Sequence, residues 1–159
     1  MDELIATFAG FGLLFALFAL AVIVFVVVCE WRVLSKAGES GWKCLIPVLS
    51  PWTLACVATE SSVVRVGTLV ANAAAIVGSL LAVVATGIDA SVLVGVALIL
   101  ELAGGVAAWA FGVISNYLLG AAFGEDKAMQ VVLGAMPFAG HVAIAFDPEI
   151  EYDEPVVFE

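Results

Sequence analysis

The sequence predicts an all-α integral membrane protein: a four-helix bundle with an interfacial or re-entrant segment between its first and second helices. Three observations predict it. Apolar residues make up 64% of the 159 residues, against roughly 45–50% in soluble domains. Charged residues make up 13%, about half the usual ~25%. The apolar residues also gather in runs long enough to cross a membrane. Together these exclude a soluble enzyme, a disordered chain and a disulfide scaffold.

The first run spans Leu4 to Val28. At 1.5 Å per residue it reaches about 37 Å, enough to cross a ~30 Å hydrocarbon core with some tilt. Asp2 and Glu3 precede it, and it continues past Ala19-Leu20-Ala21. An acidic start and an uninterrupted apolar run mark a retained anchor rather than a cleaved signal peptide. The second run covers about 66–86, and the third starts near Ala90 and stays apolar to about Phe123. A span at 90–114 suffices, so the last two turns of the third helix project from the membrane. The link Gly87-Ile88-Asp89 is short, which makes these two helices an antiparallel hairpin. The fourth run covers 128–146, with Pro137 between Gly134 and Gly140; a kink is expected there.

The five bases are Arg32, Lys36, Lys43, Arg65 and Lys127. Four spans place all of them on one side, which the positive-inside rule makes the cytoplasm. The opposite side receives Asp2, Glu3, Asp89 and the six acids of residues 147–159. The expected location is the cell (inner or plasma) membrane, with both termini and the acidic tail extracytoplasmic. Cys29, Cys44 and Cys56 then face a reducing compartment and remain free thiols. With 15 acids against 5 bases and a net charge of −10, nucleic-acid binding is disfavoured. No Cys-x-x-Cys pair exists, and His141 stands far along the chain from the cysteines, so no metal or cofactor is expected.

The cytoplasmic segment 29–65 is more than a loop. Trp31, Trp42 and Trp52 suit an interfacial aromatic belt. Gly38 and Gly41 bracket a turn, and Pro47 and Pro51 break the apolar stretch 45–58, which is too short to span. The block Trp31-x4-Lys36-Ala-Gly38-x2-Gly41-Trp42-x3-Ile46-Pro47 resembles the signature of a family of small multi-pass prokaryotic membrane proteins without an established function. Weaker matches are Phe123-Gly124, Pro137-Phe138 and Phe146-Asp147. The resemblance implies a multi-pass membrane protein in which Trp31, Lys36, Gly38, Gly41, Trp42 and Pro47 are candidate partner contacts. Two departures stand out. Ala121-Ala122 replace a lysine usual before Phe-Gly, and the usual short ending becomes an acidic tail. Some family members carry a signal-peptidase label. That activity needs a serine nucleophile and a lysine base in an external soluble domain; here every lysine is expected in the cytoplasm.

Polar residues inside the spans form two stripes. Thr68, Asn72, Ala75, Ser79, Ala82 and Thr86 recur at spacings of 4, 3, 4, 3 and 4, one face of the second helix. Glu101, Gly104, Gly105, Ala108, Gly112, Ser115 and Asn116 share a face of the third. Small residues of this kind are the usual interface between membrane helices. Glu101 lies about 16 Å from the outer end, near the midplane, with Ser79 its expected neighbour across the hairpin. An acid at that depth marks either a hydrogen-bonded packing site or a proton or cation site. Glu101, Ser79, Asn72 and Asn116 are therefore the candidate intramembrane polar site. His141, about 8 Å deep on a straight fourth helix, is too shallow to pair with Glu101 and reads as a packed or interfacial side chain. The tail, with two prolines and dense acids, is expected to be solvated or to dock a partner.

No catalytic set accompanies these features: there is no His-Glu-x-x-His motif and no evident Ser-His or Ser-Lys pairing. The expected function is non-enzymatic: an accessory or scaffold subunit in contact with membrane lipid and other membrane proteins. The alternative is a small homo-oligomeric channel or transporter with Glu101 as its proton or cation site.

Overall fold

Side chains at 14–28 are apolar without exception. In hydrocarbon such a segment must satisfy its backbone internally, which an α-helix does. The computed structural model describes residues 2–88 and 90–157. Its regular elements are helices: α1 Asp2–Lys36, α2 Leu49–Ala58, α3 Ser62–Gly87, α4 Ser91–Ala122, α5 Lys127–Ala135 and α6 Pro137–Phe146, with a 3-10 helix at Gly41–Leu45. Three stretches are long and apolar enough to cross a membrane: Leu14–Lys36, Ser62–Gly87 and Ser91–Ala122.

Helices α3 and α4 form the expected antiparallel hairpin, the most extensive packing in the molecule. Two glycines bring them together. A Cβ on Gly78 would stand 2.5 Å from the backbone nitrogen of Glu101, and one on Gly104 would stand 2.5 Å from that of Ala75. Only hydrogen fits at either place. Asp89, expected at the tip of this hairpin, lies outside the described residues.

At the end where α1 stops and α3 starts, here called the near end, the chain doubles back. Gly38 takes a left-handed backbone (φ 77°) that reverses direction after α1. The chain then descends α1: Glu39 N–H bonds Leu34 O at 2.9 Å, and the Cys44 thiol reaches Val27 O at 3.7 Å. That is about 14 Å below Lys36. Past Pro47 it turns and climbs as α2, whose buried Leu54, Ala55, Val57 and Ala58 enter the core. Segment 29–65 thus folds back along α1 and packs on α3 and α4 rather than forming an open loop.

Residues 128–146 overturn the expectation of a fourth span. They form two helices of 9 and 10 residues, about 14 and 15 Å long, each too short to cross. The break falls at Met136 (φ −135°, ψ 71°), because the residue before a proline is pushed out of the helical region and Pro137 donates no N–H. A kink becomes a reversal because Gly140 leaves room for Leu133: a side chain at 140 would collide with it. Helix α5 returns along α4, with Gly120 against Gln130 and Gly134 against Tyr117. Helix α6 then climbs α1, where Phe25 meets Phe138 and Phe146. The four-helix bundle is thus replaced by three long helices and two short doubled-back segments.

The second correction concerns the tail. It had been expected across the membrane from the bases, yet it packs on the near end among them. Lys36 Nζ donates to Asp147 O at 2.5 Å and Ile150 O at 3.0 Å. Tyr152 Oη donates to Val57 O at 3.1 Å, and Asp153 N–H to Ala122 O at 2.9 Å. Thr59 and Val156 form a parallel β-bridge. The start of α1 and the tail therefore stand at opposite ends, not the same one, and the tail is docked rather than free. Phe158 and Glu159 lie outside the described residues.

Candidate functional site

The residues of the polar stripes mostly satisfy themselves. Asn72 Nδ2 donates to Thr68 O, Ser79 Oγ to Ala75 O and Asn116 Nδ2 to Gly112 O, each to the carbonyl one turn back. Thr68 and Ser115 hydroxyls, 3.4 Å apart, join α3 to α4. Ser79 does not bond Glu101; across the hairpin Glu101 presents its backbone to Gly78. The Glu101 side chain instead lines an open groove formed by α4 alone, with Leu98, Leu102, Gly105, Val106 and Trp109. Trp109, 73% exposed, also lines a second apolar groove that runs on to Tyr117 and α5. The carboxylate has no hydrogen-bond or ion-pair partner among the described residues.

The Trp31–Pro47 block is largely spent within the chain. Lys36 holds the tail, Gly38 makes the turn, and Gly41 lies under the Trp31 indole, where any side chain would collide. Pro47 stands at the bottom of the reversal. Trp42 remains 50% exposed.

Asn116 belongs to a different place from Glu101, about 22 Å further along α4. It lines a cavity of about 280 Å³ between α1, α2, α4 and α6. Both doubled-back segments reach it at the first turn of a short helix: Ser50 and Pro51 from α2, Pro137 and Phe138 from α6. His141 Nε2 lies 2.8 Å from Asn116 Oδ1, and Ser50 Oγ donates to a Glu30 carboxylate oxygen at 2.8 Å. Cys29 lines the same cavity. One turn beyond Ser50, Thr53 buries a hydroxyl with no partner among the described residues; the structure gives no reason for it. All three cysteines are free thiols, and burial raises the Cys44 thiol above its ordinary value. The described residues hold no group of three His, Cys, Asp or Glu side chains that could ligate a metal ion.

Sequence reasoning missed Glu30, Ser50 and His141 as one site. For Glu30 a signal existed. Its neighbours at three and four residues either way are Val26, Val27, Val33 and Leu34, so the acid shares a face that must pack. For His141 the partner was missed, because a straight fourth helix does not bring it back to Asn116.

No known protein family, curated protein or solved structure matches this chain.

Proposed function

We propose that the protein is an accessory subunit of the cell membrane that recruits a partner through the outward face of α4. Three features support the placement. The three long helices suit spans, the two short reversals suit re-entrant segments shielded by protein, and all five bases lie at the near end. By the positive-inside rule, in which acids count for little, that end is cytoplasmic.

Glu101 carries the functional reading. It sits near mid-depth in an open groove made of one helix. A carboxylate exposed to hydrocarbon is costly and is normally covered by protein. Gly105, with open space beside it, lets a second backbone approach. A second copy of this chain would set acid against acid, since its bases all lie at the near end. The fitting occupant is a transmembrane helix of another protein with a basic residue at mid-membrane. The Glu101 groove and the Asn116 cavity lie about 22 Å apart along α4, which gives a Glu101-centred channel no support.

The test is pairing in vesicles, read by energy transfer, with a polyleucine helix carrying one central lysine. Wild-type protein should prefer it over the all-leucine helix by about 5–30-fold, the equivalent of ~1–2 kcal/mol for a polar contact in a bilayer. Glu101→Gln should erase that preference. Equal pairing with both helices, or a preference that survives Glu101→Gln, would overturn the reading. Energy transfer between copies of the chain that depends on Glu101 would replace it with self-association.

A further inference from the structure

We infer that the cavity between α1, α2, α4 and α6 is a binding site for a primary ammonium group, held between the Glu30 carboxylate and the His141 imidazole.

The hydrogen-bond network fixes what the cavity offers. Asn116 Nδ2 donates to Gly112 O at 2.8 Å, and a carbonyl can only accept. The amide oxygen of Asn116 therefore faces the ring, and His141 Nε2 must be the donor across their 2.8 Å contact. His141 is 6% exposed, and no carboxylate bonds its ring among the described residues. Nothing there compensates a second ring proton, so Nδ1 presents a lone pair. It has no partner among the described residues, and His141 is part of the cavity wall. Ser50 spends its hydroxyl proton on one oxygen of Glu30, and the other oxygen is unpartnered among the described residues. The cavity is thus lined by two residues with an open acceptor, one of them acidic, while the donors on its wall are the weak Cys29 thiol and the second N–H of Asn116.

Neither acceptor is answered by a base of the chain. Arg32, two residues from Glu30, turns its guanidinium over the Phe146 ring, 4.7 Å from the centroid. Lys36 is committed to the tail carbonyls. The ion pair present among the described residues, Lys43 with Glu39, lies elsewhere. A half-buried acid without a counter-charge is costly, and a cation with N–H donors answers both acceptors at once. A bare metal ion fits less well, because the described residues supply no three-ligand set. The rest of the wall is apolar, with Val26, Leu54, Pro51, Pro137 and Phe138. About 280 Å³ admits an ammonium on a short stem.

Access fits either a free amine or the ethanolamine headgroup of a phospholipid. Among the described residues α1 packs on neither α3 nor α4, and its side chains from Leu14 to Phe25 are exposed or half-exposed. The space leading to the cavity is therefore open on the membrane side.

The experiment is titration calorimetry on the full chain in detergent with ethylammonium, a short-chain phosphatidylethanolamine, ethyltrimethylammonium and a short-chain phosphatidylcholine. The expected result is saturable binding of at least one primary ammonium compound, at least tenfold tighter than its methylated counterpart. Glu30→Gln should weaken it at least tenfold. Binding by ethylammonium assigns a free amine as a sufficient ligand; binding by the phospholipid alone assigns a lipid headgroup. A second reading needs no variant: the ¹⁵N resonance of His141 Nδ1 in wild-type protein should move on titration. No binding by either primary ammonium overturns the proposal, as does equal binding of the methylated compounds. A bound amine that leaves the His141 resonance unmoved also overturns it.

Discussion

At the scale of single residues, Tyr152 shows how the tail is held and how testably. Its phenol donates to Val57 O, and its ring meets Phe123 edge-on with centroids 5.3 Å apart. Burial raises the phenol above its ordinary value of 10.0. A raised value means the docked state binds the proton more tightly than the undocked one. The contribution is therefore complete below pH ~10 and is lost as pH climbs beyond it. Hydrogen exchange at the amide of Glu60, which donates to Val156 O, and at that of Val156, which donates to Ala58 O, should stay slow through neutral pH. Once intrinsic exchange rates are allowed for, it should accelerate above pH ~10. Tyr152→Phe should speed exchange severalfold at neutral pH, about 1 kcal/mol for one hydrogen bond, and remove the alkaline step. The acids of the tail were plain in the sequence. Their docking was not, because it depends on partners about a hundred positions away, such as Thr59 for Val156.

At the scale of elements, glycines decide whether helices touch. Gly78→Ala would place a methyl group 2.5 Å from the backbone of Glu101, with no flexible side chain to yield. The α3–α4 hairpin should open and lose about 1–3 kcal/mol, read as a lower thermal midpoint in detergent. Gly105→Ala, facing open space, should leave that midpoint unchanged, which separates packing from any loss of helix pairing. The 4-3 repeat of α3 made this seam legible, and the antiparallel hairpin followed from its three-residue link. Pro137 was legible as an interruption but not as a reversal. That outcome depends on the space Gly140 leaves for Leu133, a contact seven residues apart that a continuous helix would not make. The error at 137 then spread: it lengthened one helix, placed the tail at the far end of the molecule and separated His141 from Asn116.

For the whole molecule the arrangement predicts orientation. With the N-terminus of α1 at the far end and the tail docked among the bases, the two should face opposite compartments. A fluorescent protein fused after the tail should fold and glow in the cytoplasm. Alkaline phosphatase fused there should stay inactive, yet become active when inserted in the α3–α4 link. An active phosphatase after the tail would refute the orientation. Composition and hydropathy alone established that the long helices suit a bilayer. The near end could not be read that way: its apolar runs, 45–58 and 128–146, look the same whether a helix crosses or turns back.

The docked tail also bears on how the protein is made. Its bridge joins Val156 to Thr59, and Lys36 waits for the carbonyls of Asp147 and Ile150. Lys36 and Thr59 leave the ribosome early, and these particular partners emerge last. The tail's own bonds to Lys36, Thr59 and Ala122 therefore close only after synthesis has passed position 156. A nascent chain spends its membrane insertion with that end unlatched, and a chain cut short at 146 is an unfinished fold rather than a trimmed one.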